Sequence, residues 1–257
     1  MNQAKVLNFF GLLLIMFGLT FAIPLFVAFF YGENLIKVFG LGMSILVLLG
    51  FLSWFFTKDN KQELSLSDGF VITVLFWIVL SVSGSIPFLL FGFGVVDSFF
   101  ESMSGITTTG ATVIAGLDDL PKSLLIYRQL LQWLGGMGLI VLAIAVMPLL
   151  GIGGGQLFKT QTPGPMSEQR LTPRITSTAR ALWSIYFVLT VLCIFAYRLA
   201  GMNNFDAVSH AFSTVSIGGF STHDLSIGFF DSLTIEIVCI TFMLLSAMSF
   251  AIHYSAI

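Results

Sequence analysis

Asp97–Thr112 reads DSFFESMSGITTTGAT, and Asp206–Ser221 reads DAVSHAFSTVSIGGFS. At a constant offset of 109, Asp97 falls on Asp206, Ser104 on Ser213 and Gly110 on Gly219. Ile106 and Val215 keep a β-branched residue in register, and Thr112 and Ser221 keep a hydroxyl. The uncharged cores, 102–117 and 207–223, are too short to cross a bilayer and return as two helices, because one crossing takes about 20 residues. They are also too apolar for loops in water. A re-entrant hairpin fits both: a half-helix descends and an extended strand climbs back. Such backbone survives only where it is buried in protein or lines water.

Around these copies the chain is built for lipid. Of 257 residues, 56% are hydrophobic, 9% are charged and 28 are phenylalanine. A soluble domain carries about 25% charged residues. Consecutive charges bound six long uncharged runs at 6–32, 38–57, 69–96, 129–158, 181–197 and 237–257. Each approaches or exceeds the length of a helical span, with Arg198 snorkelling at the end of the fifth. The runs do not alternate, which excludes a transmembrane barrel. The fold class expected is an all-α polytopic membrane protein: helix–pore loop–helix repeats, two of them, preceded by an N-terminal two-helix hairpin. The boundaries read 1–62 for the hairpin, 63–155 for the first repeat, 156–178 for a cytoplasmic connection and 179–257 for the second repeat. Such internal repeats mark many transport folds. The first apolar run exceeds a signal-peptide core and is read as a retained helix.

Lys5, Lys58, Lys61, Lys159, Arg170, Arg174 and Arg180 fall on one side if every run crosses once, which makes that side cytoplasmic. The other side collects Glu33, Asp97, Glu101, Asp118, Asp119, Asp206, Asp224, Asp231 and Glu236, a carboxylate-rich mouth that raises local cation concentration or an ordinary solvated rim. A net charge of −2 gives no reason to expect nucleic acid. Cys193 and Cys239 lack CxxC spacing and suggest no metal or redox centre. The run Gly151-Ile-Gly-Gly-Gly155 follows a membrane helix rather than a strand, so it reads as a turn and not as a nucleotide fingerprint.

The chemistry lies in Thr107-Thr108-Thr109-Gly110-Ala111 and Ser216-Ile217-Gly218-Gly219-Phe220. Neither string holds an acid, histidine or thiol, so an enzyme is not expected. What the strings offer is main chain. Glycine permits the positive φ that turns carbonyls toward one axis, and a carbonyl cage replaces the hydration shell of a monovalent cation. The C-terminal end of each half-helix favours that cation. A single Thr/Gly string also suits a close helix crossing; two registered copies favour a filter. His210 sits where the first copy has Glu101, as a hydrogen-bonded residue behind the filter or as a proton-coupling group. His223 and Asp224 read as solvated loop or as an ion-attracting mouth. Arg128, Gln129, Gln132 and Trp133 read as an interfacial anchor, and Gly135-Gly136-Met137-Gly138 as a close approach or a bend.

These motifs carry a resemblance. SGITTTGAT (Ser104–Thr112), RQLLQWLGGMGLIVLAIAVMPLLGIGG (Arg128–Gly154), TPGP with LTPRI (Thr162–Pro165, Leu171–Ile175) and FSTVSIGGFSTHD (Phe212–Asp224) resemble the Trk/Ktr/HKT superfamily of potassium transporters along essentially the whole chain. The bacterial Trk membrane subunit, TrkH type, is the branch most resembled. The resemblance implies four helix–pore loop–helix repeats around one axis, with K⁺ held by carbonyls of Thr108, Thr109, Gly110, Ile217, Gly218 and Gly219. It implies no cofactor, K⁺ being the transported ion. It also implies a bacterial cytoplasmic (inner) membrane location, a homodimer of complete subunits, and a cytosolic nucleotide-binding regulatory partner of the TrkA type. For Arg170, Arg174 and Arg180 two readings stay open: that partner, or lipid phosphate.

Two departures stand out. The strands keep only the central glycine of the tetrameric channel signature TVGYG, which leaves K⁺ against Na⁺ open. The chain carries two repeats where the family has four, so it is expected to be the N-terminal half of a pore that needs the other half or a second copy. An ion-coupled transporter of another cation such as sodium, or an inactive fragment, is the alternative reading.

Overall fold

The computed structural model describes residues 3–58, 66–146 and 171–248, and among these the elements are helical. Helices α1 (Gln3–Thr20) and α2 (Ala22–Phe30) form one apolar rod, broken at Phe21. Pro24 accounts for the break: it has no amide to give Thr20, and its ring crowds that carbonyl. Helix α3 (Ile36–Thr57) returns antiparallel to α1. Helix α4 (Leu66–Phe91) runs down to the half-helix α5 (Val95–Ile106), and α6 is Lys122–Val146. Helix α7 (Leu171–Leu199), the half-helix α8 (Asn204–Val215) and α9 (Leu233–Ala247) repeat that order. Short 3₁₀ turns at Leu117–Asp119 and Ser226–Phe230 connect each loop to the helix that follows.

Four helical stretches among the described residues are long and apolar enough to cross a membrane: Gln3–Phe30, Ile36–Thr57, Asp68–Phe91 and Ala181–Leu199. Leu233–Ala247 is a shorter apolar helix. The expected runs need adjusting at their ends. The run 69–96 stops being one helix at Phe91, and α6 begins at Lys122, before Arg128. The expected connection 156–178 overlaps α7 from Leu171. Gly151–Gly155, Pro163, Pro165 and parts of the runs 129–158 and 237–257 lie outside the described residues.

Small residues set how closely α1 and α3 approach. A Cβ on Gly11 would stand 2.7 Å from the Trp54 amide nitrogen, and one on Gly50 would stand 2.6 Å from the Gly11 carbonyl oxygen. Backbone therefore rests on backbone at this crossing. Ser53 donates to the Leu7 carbonyl at 2.8 Å and Asn8 to Thr57 Oγ1 at 3.1 Å. Such packing is how helices associate where lipid gives them no hydrophobic reason to.

Helix α6 is the mast that the rest surrounds. Tyr127 is fully buried, with the rings of Phe21, Phe39 and Phe88 at 5.3, 5.5 and 5.3 Å, and its hydroxyl donates to the Gly84 carbonyl at 2.7 Å. One residue thus ties α6 to the hairpin and to α4. Six residues on, Trp133 packs on Tyr186 and Phe212 at 5.6 and 5.3 Å and donates to Thr190 Oγ1 at 3.0 Å, tying α6 to the second repeat. Glu33, in the α2–α3 loop, accepts from the first two amides of α6, Lys122 and Ser123, at 2.7 and 3.0 Å, a carboxylate cap on the positive helix end. Gly50→Ala is expected to lower stability by about 1–3 kcal/mol, read as a drop in melting temperature of the detergent-purified protein.

Candidate functional site

The two half-helices end in the same hydrogen-bond pattern, residue for residue. In α5, Thr107 N donates to the Met103 carbonyl, Thr108 N to Gly105 and Thr109 N to Ser104, at 2.9, 3.0 and 2.9 Å. In α8, Ser216 N donates to Phe212, Ile217 N to Thr214 and Gly218 N to Ser213, at 3.2, 3.1 and 2.8 Å. The hydroxyls of Thr107 and Ser216 fold back onto the carbonyls of Met103 and Phe212 at 2.7 and 2.8 Å. The last two backbone bonds of each set make a Schellman ending, whose turning residue is left-handed and usually glycine. Here it is Thr108 at φ 54° and Ile217 at φ 56°. For β-branched residues this costs about 1–3 kcal/mol each. Two residues on, Gly110 at 79° and Gly219 at 85° turn the chain again. The alternation of handedness redirects successive carbonyls as the chain leaves each helix.

The strands that follow lie against each other. A Cβ on Gly110 would meet the Gly218 carbonyl oxygen at 2.1 Å, so only glycine admits this approach. Thr109, Ala111, Ile217 and Gly219 are exposed, whereas Gly218 and Phe220 are buried. The six residues expected at the filter are therefore together, on two apposed strands. The Gly218 carbonyl is engaged: Gln132 Nε2 donates to it at 2.7 Å, while Gln132 Oε1 accepts from Phe220 N at 3.0 Å.

The strands are backed by buried polar side chains, and here the sequence reading needs correcting. Arg128 and Gln132 are fully buried, not interfacial. Arg128 Nε donates to Glu101 Oε1 at 2.7 Å, with both side chains wholly inaccessible. Its other nitrogens donate to Thr112 Oγ1 at 3.1 Å and to the Ser221 carbonyl at 2.9 Å, and the guanidinium lies 4.4 Å from the centre of the Phe220 ring. Gln129 is also buried, and Trp133 is packed between the repeats as described above. The available signal was the spacing: Arg128 and Gln132 lie four apart on one helix face, and polar groups inside a membrane helix need partners.

Behind each strand the half-helix supplies the same kind of support. Thr112 donates to Glu101 at 3.0 Å, and His210 Nε2 is 2.9 Å from Ser221 Oγ, with Nδ1 2.9 Å from the Asp206 carbonyl. His210 is thus a buried, hydrogen-bonded residue behind the second strand. The next link also repeats: Ile114 N donates to Thr112 Oγ1 and His223 N to Ser221 Oγ, both at 3.1 Å. Gly135 explains how α6 comes so near, since a Cβ there would stand 1.9 Å from the Ile106 carbonyl oxygen. Close approach, rather than a bend, is the reading that the structure selects for this glycine run.

At the outer rim His223 and Asp224 are neither free loop nor an open mouth. The His223 ring bonds Asp118, holding that carboxyl below its usual range, and reaches Asp206 at 3.4 Å. It stacks on Phe229 with centroids 3.5 Å apart. Asp224 accepts from the amides of Gly116 and Leu117, both at 3.1 Å. These bonds join the outer loops of the two repeats. No group of three or more His, Cys, Asp or Glu that could hold a metal ion occurs among the described residues.

A family model described as TrkH, cation transport protein, matches residues 35–257. The chain is 51% identical to the Trk system potassium uptake protein TrkH of Halomonas elongata, covering 100% of this chain and 54% of that protein. It is 46% identical to the Escherichia coli K12 protein of the same name, covering 99% and 53%. The crystal structure of the potassium transporter TrkH from Vibrio parahaemolyticus aligns with a TM-score of 0.88 at 48% identity, over 100% of this chain and 52% of that one. The chain spans about half the length of the curated relatives it matches.

The two central glycines make a paired test of strand apposition. Gly110→Ala drives a methyl into the Gly218 carbonyl, whereas at Gly219 nothing lies within 4 Å and only the backbone conformation resists. The expected melting temperatures order as unsubstituted, then Gly219→Ala, then Gly110→Ala. An equal loss at both sites would show that the strands do not touch.

Proposed function

Because the chain belongs to the TrkH cation transport protein family, we propose that it supplies two of the filter strands of a potassium-uptake pore in a bacterial cytoplasmic membrane. The observation that carries this reading is the duplicated helix ending. Two half-helices deliver glycine-centred strands to one place, with left-handed residues at Thr108, Gly110, Ile217 and Gly219. Carbonyls of Thr108, Thr109, Gly110, Ile217, Gly218 and Gly219 replace water around a dehydrated K⁺. Gly218 contributes least, since its carbonyl already accepts from Gln132. The buried carboxylate of Glu101 neutralises Arg128 behind the strands, so the nearby guanidinium does not repel the ion.

Two strands leave the other side of the ion open, so the pore is completed by a complementary half or by a second copy. Assembly of complete subunits as a homodimer, and control by a cytosolic nucleotide-binding partner of the TrkA type, belong to the same proposal.

The test is growth and rubidium uptake in bacteria lacking their own potassium uptake. The chain is expressed alone and joined to the complementary half of the Vibrio parahaemolyticus relative. Uptake is expected only in the joined form, and Gly219→Asp is expected to abolish it while the protein stays in the membrane. Robust uptake by the chain alone would mean that two copies build one pore. Normal uptake with Gly219→Asp would remove the filter assignment.

A further inference from the structure

Among the described residues no backbone hydrogen bond joins the strand after α5 to the strand after α8. Their separation is therefore not set by a sheet ladder. What spans them is one face of α6. Gln132 occupies the place a neighbouring strand would take, donating to the Gly218 carbonyl at 2.7 Å and accepting from Phe220 N at 3.0 Å. One turn earlier, Arg128 holds Thr112 of the first strand at 3.1 Å and the Ser221 carbonyl of the second at 2.9 Å, with Glu101 compensating its charge. Both side chains are fully buried, so water offers them no alternative partner. Helix α9, Leu233–Ala247, contains no Lys, Arg or Gln with which to make an equivalent brace.

We infer that Arg128 and Gln132 are specificity-determining positioning residues: they fix the spacing of the two filter strands, and with it the discrimination between K⁺ and a smaller cation. The physical reason is the sensitivity of a carbonyl cage to radius. Cage oxygens that relax inward suit Na⁺, and those held apart do not. Because neither residue touches the ion, their removal alters the preference between ions rather than the chemistry of binding. This inference rests on the potassium reading above.

The experiment uses the transporting form that the uptake assay identifies. Gln132→Leu removes both rungs at similar volume, and Arg128→Lys keeps the charge beside Glu101 but loses the reach to both strands. Each is expected to lower K⁺ over Na⁺ discrimination by about tenfold, the size of one lost buried hydrogen bond, with unchanged protein in the membrane. Retained uptake with unchanged discrimination in both variants overturns the inference. If a variant abolishes uptake, melting of the purified protein in KCl against NaCl decides. Loss of the K⁺-specific stabilisation supports the brace, and its persistence overturns it. If even the unsubstituted protein takes up no K⁺, the potassium reading falls. The brace is then judged by an experimental structure of the Gln132→Leu protein, where a Gly218 carbonyl still seated against Gly110 overturns it and a displaced one supports it.

Discussion

Backbone that leaves the helix inside a membrane protein survives only where protein or a water-lined cavity meets its polar groups, so the two loops of this chain depend on what the protein itself brings to them. Each half-helix closes its own end by folding the next amides back onto its last carbonyls. Beyond that point the chain's partners come from α6 and from the polar residue midway along each half-helix, Glu101 and His210. A guanidinium and a carboxamide four residues apart meet most of the need. Burying the guanidinium is tolerable only because Glu101 is buried with it. Removing one member of such a pair costs about 3–5 kcal/mol in soluble proteins.

The position of α6 is in turn fixed in part from outside the repeats. Tyr127 sits among Phe21 at the α1–α2 break, Phe39 of α3 and Phe88 of α4, with Arg128 as its neighbour in sequence. Glu33 caps the first turn, and Lys122 lies over the Tyr31 ring at 4.2 Å. The N-terminal hairpin is thus more than an addition to the two repeats. It clamps the first turns of the helix whose Arg128 and Gln132 brace the two strands, and the Gly11–Gly50 crossing keeps its two arms close enough to do so.

Most of the architecture was legible in the sequence because lipid imposes long uncharged runs and because the repeat is in strict register. The offset of 109 predicted which residues would be equivalent, and the hydrogen bonds follow it from Thr107 and Ser216 through to Ile114 and His223. Glycine marked two of the four left-handed positions. The other two were hidden, since Thr108 and Ile217 are types that avoid positive φ and are held there by the helix ending. Arg128 was misread for a different reason. A cation near the end of an apolar run looks like an interfacial anchor, and its partners lie far away in sequence at Glu101 and Ser221. The pairing of Asp224 with the Gly116 and Leu117 amides was equally out of reach, because a loop carboxylate shows no preference for a distant amide until the fold brings them together.

The bonds from α6 to the second repeat and those at the outer rim have one more implication. Arg128 to Ser221, Gln132 to Gly218, Trp133 to Thr190 and Asp224 to Gly116 all join residues on opposite sides of the link between α6 and α7. Severing the polypeptide there would break none of them. What holds the two halves together among the described residues is therefore side-chain and main-chain recognition, independent of the covalent tether.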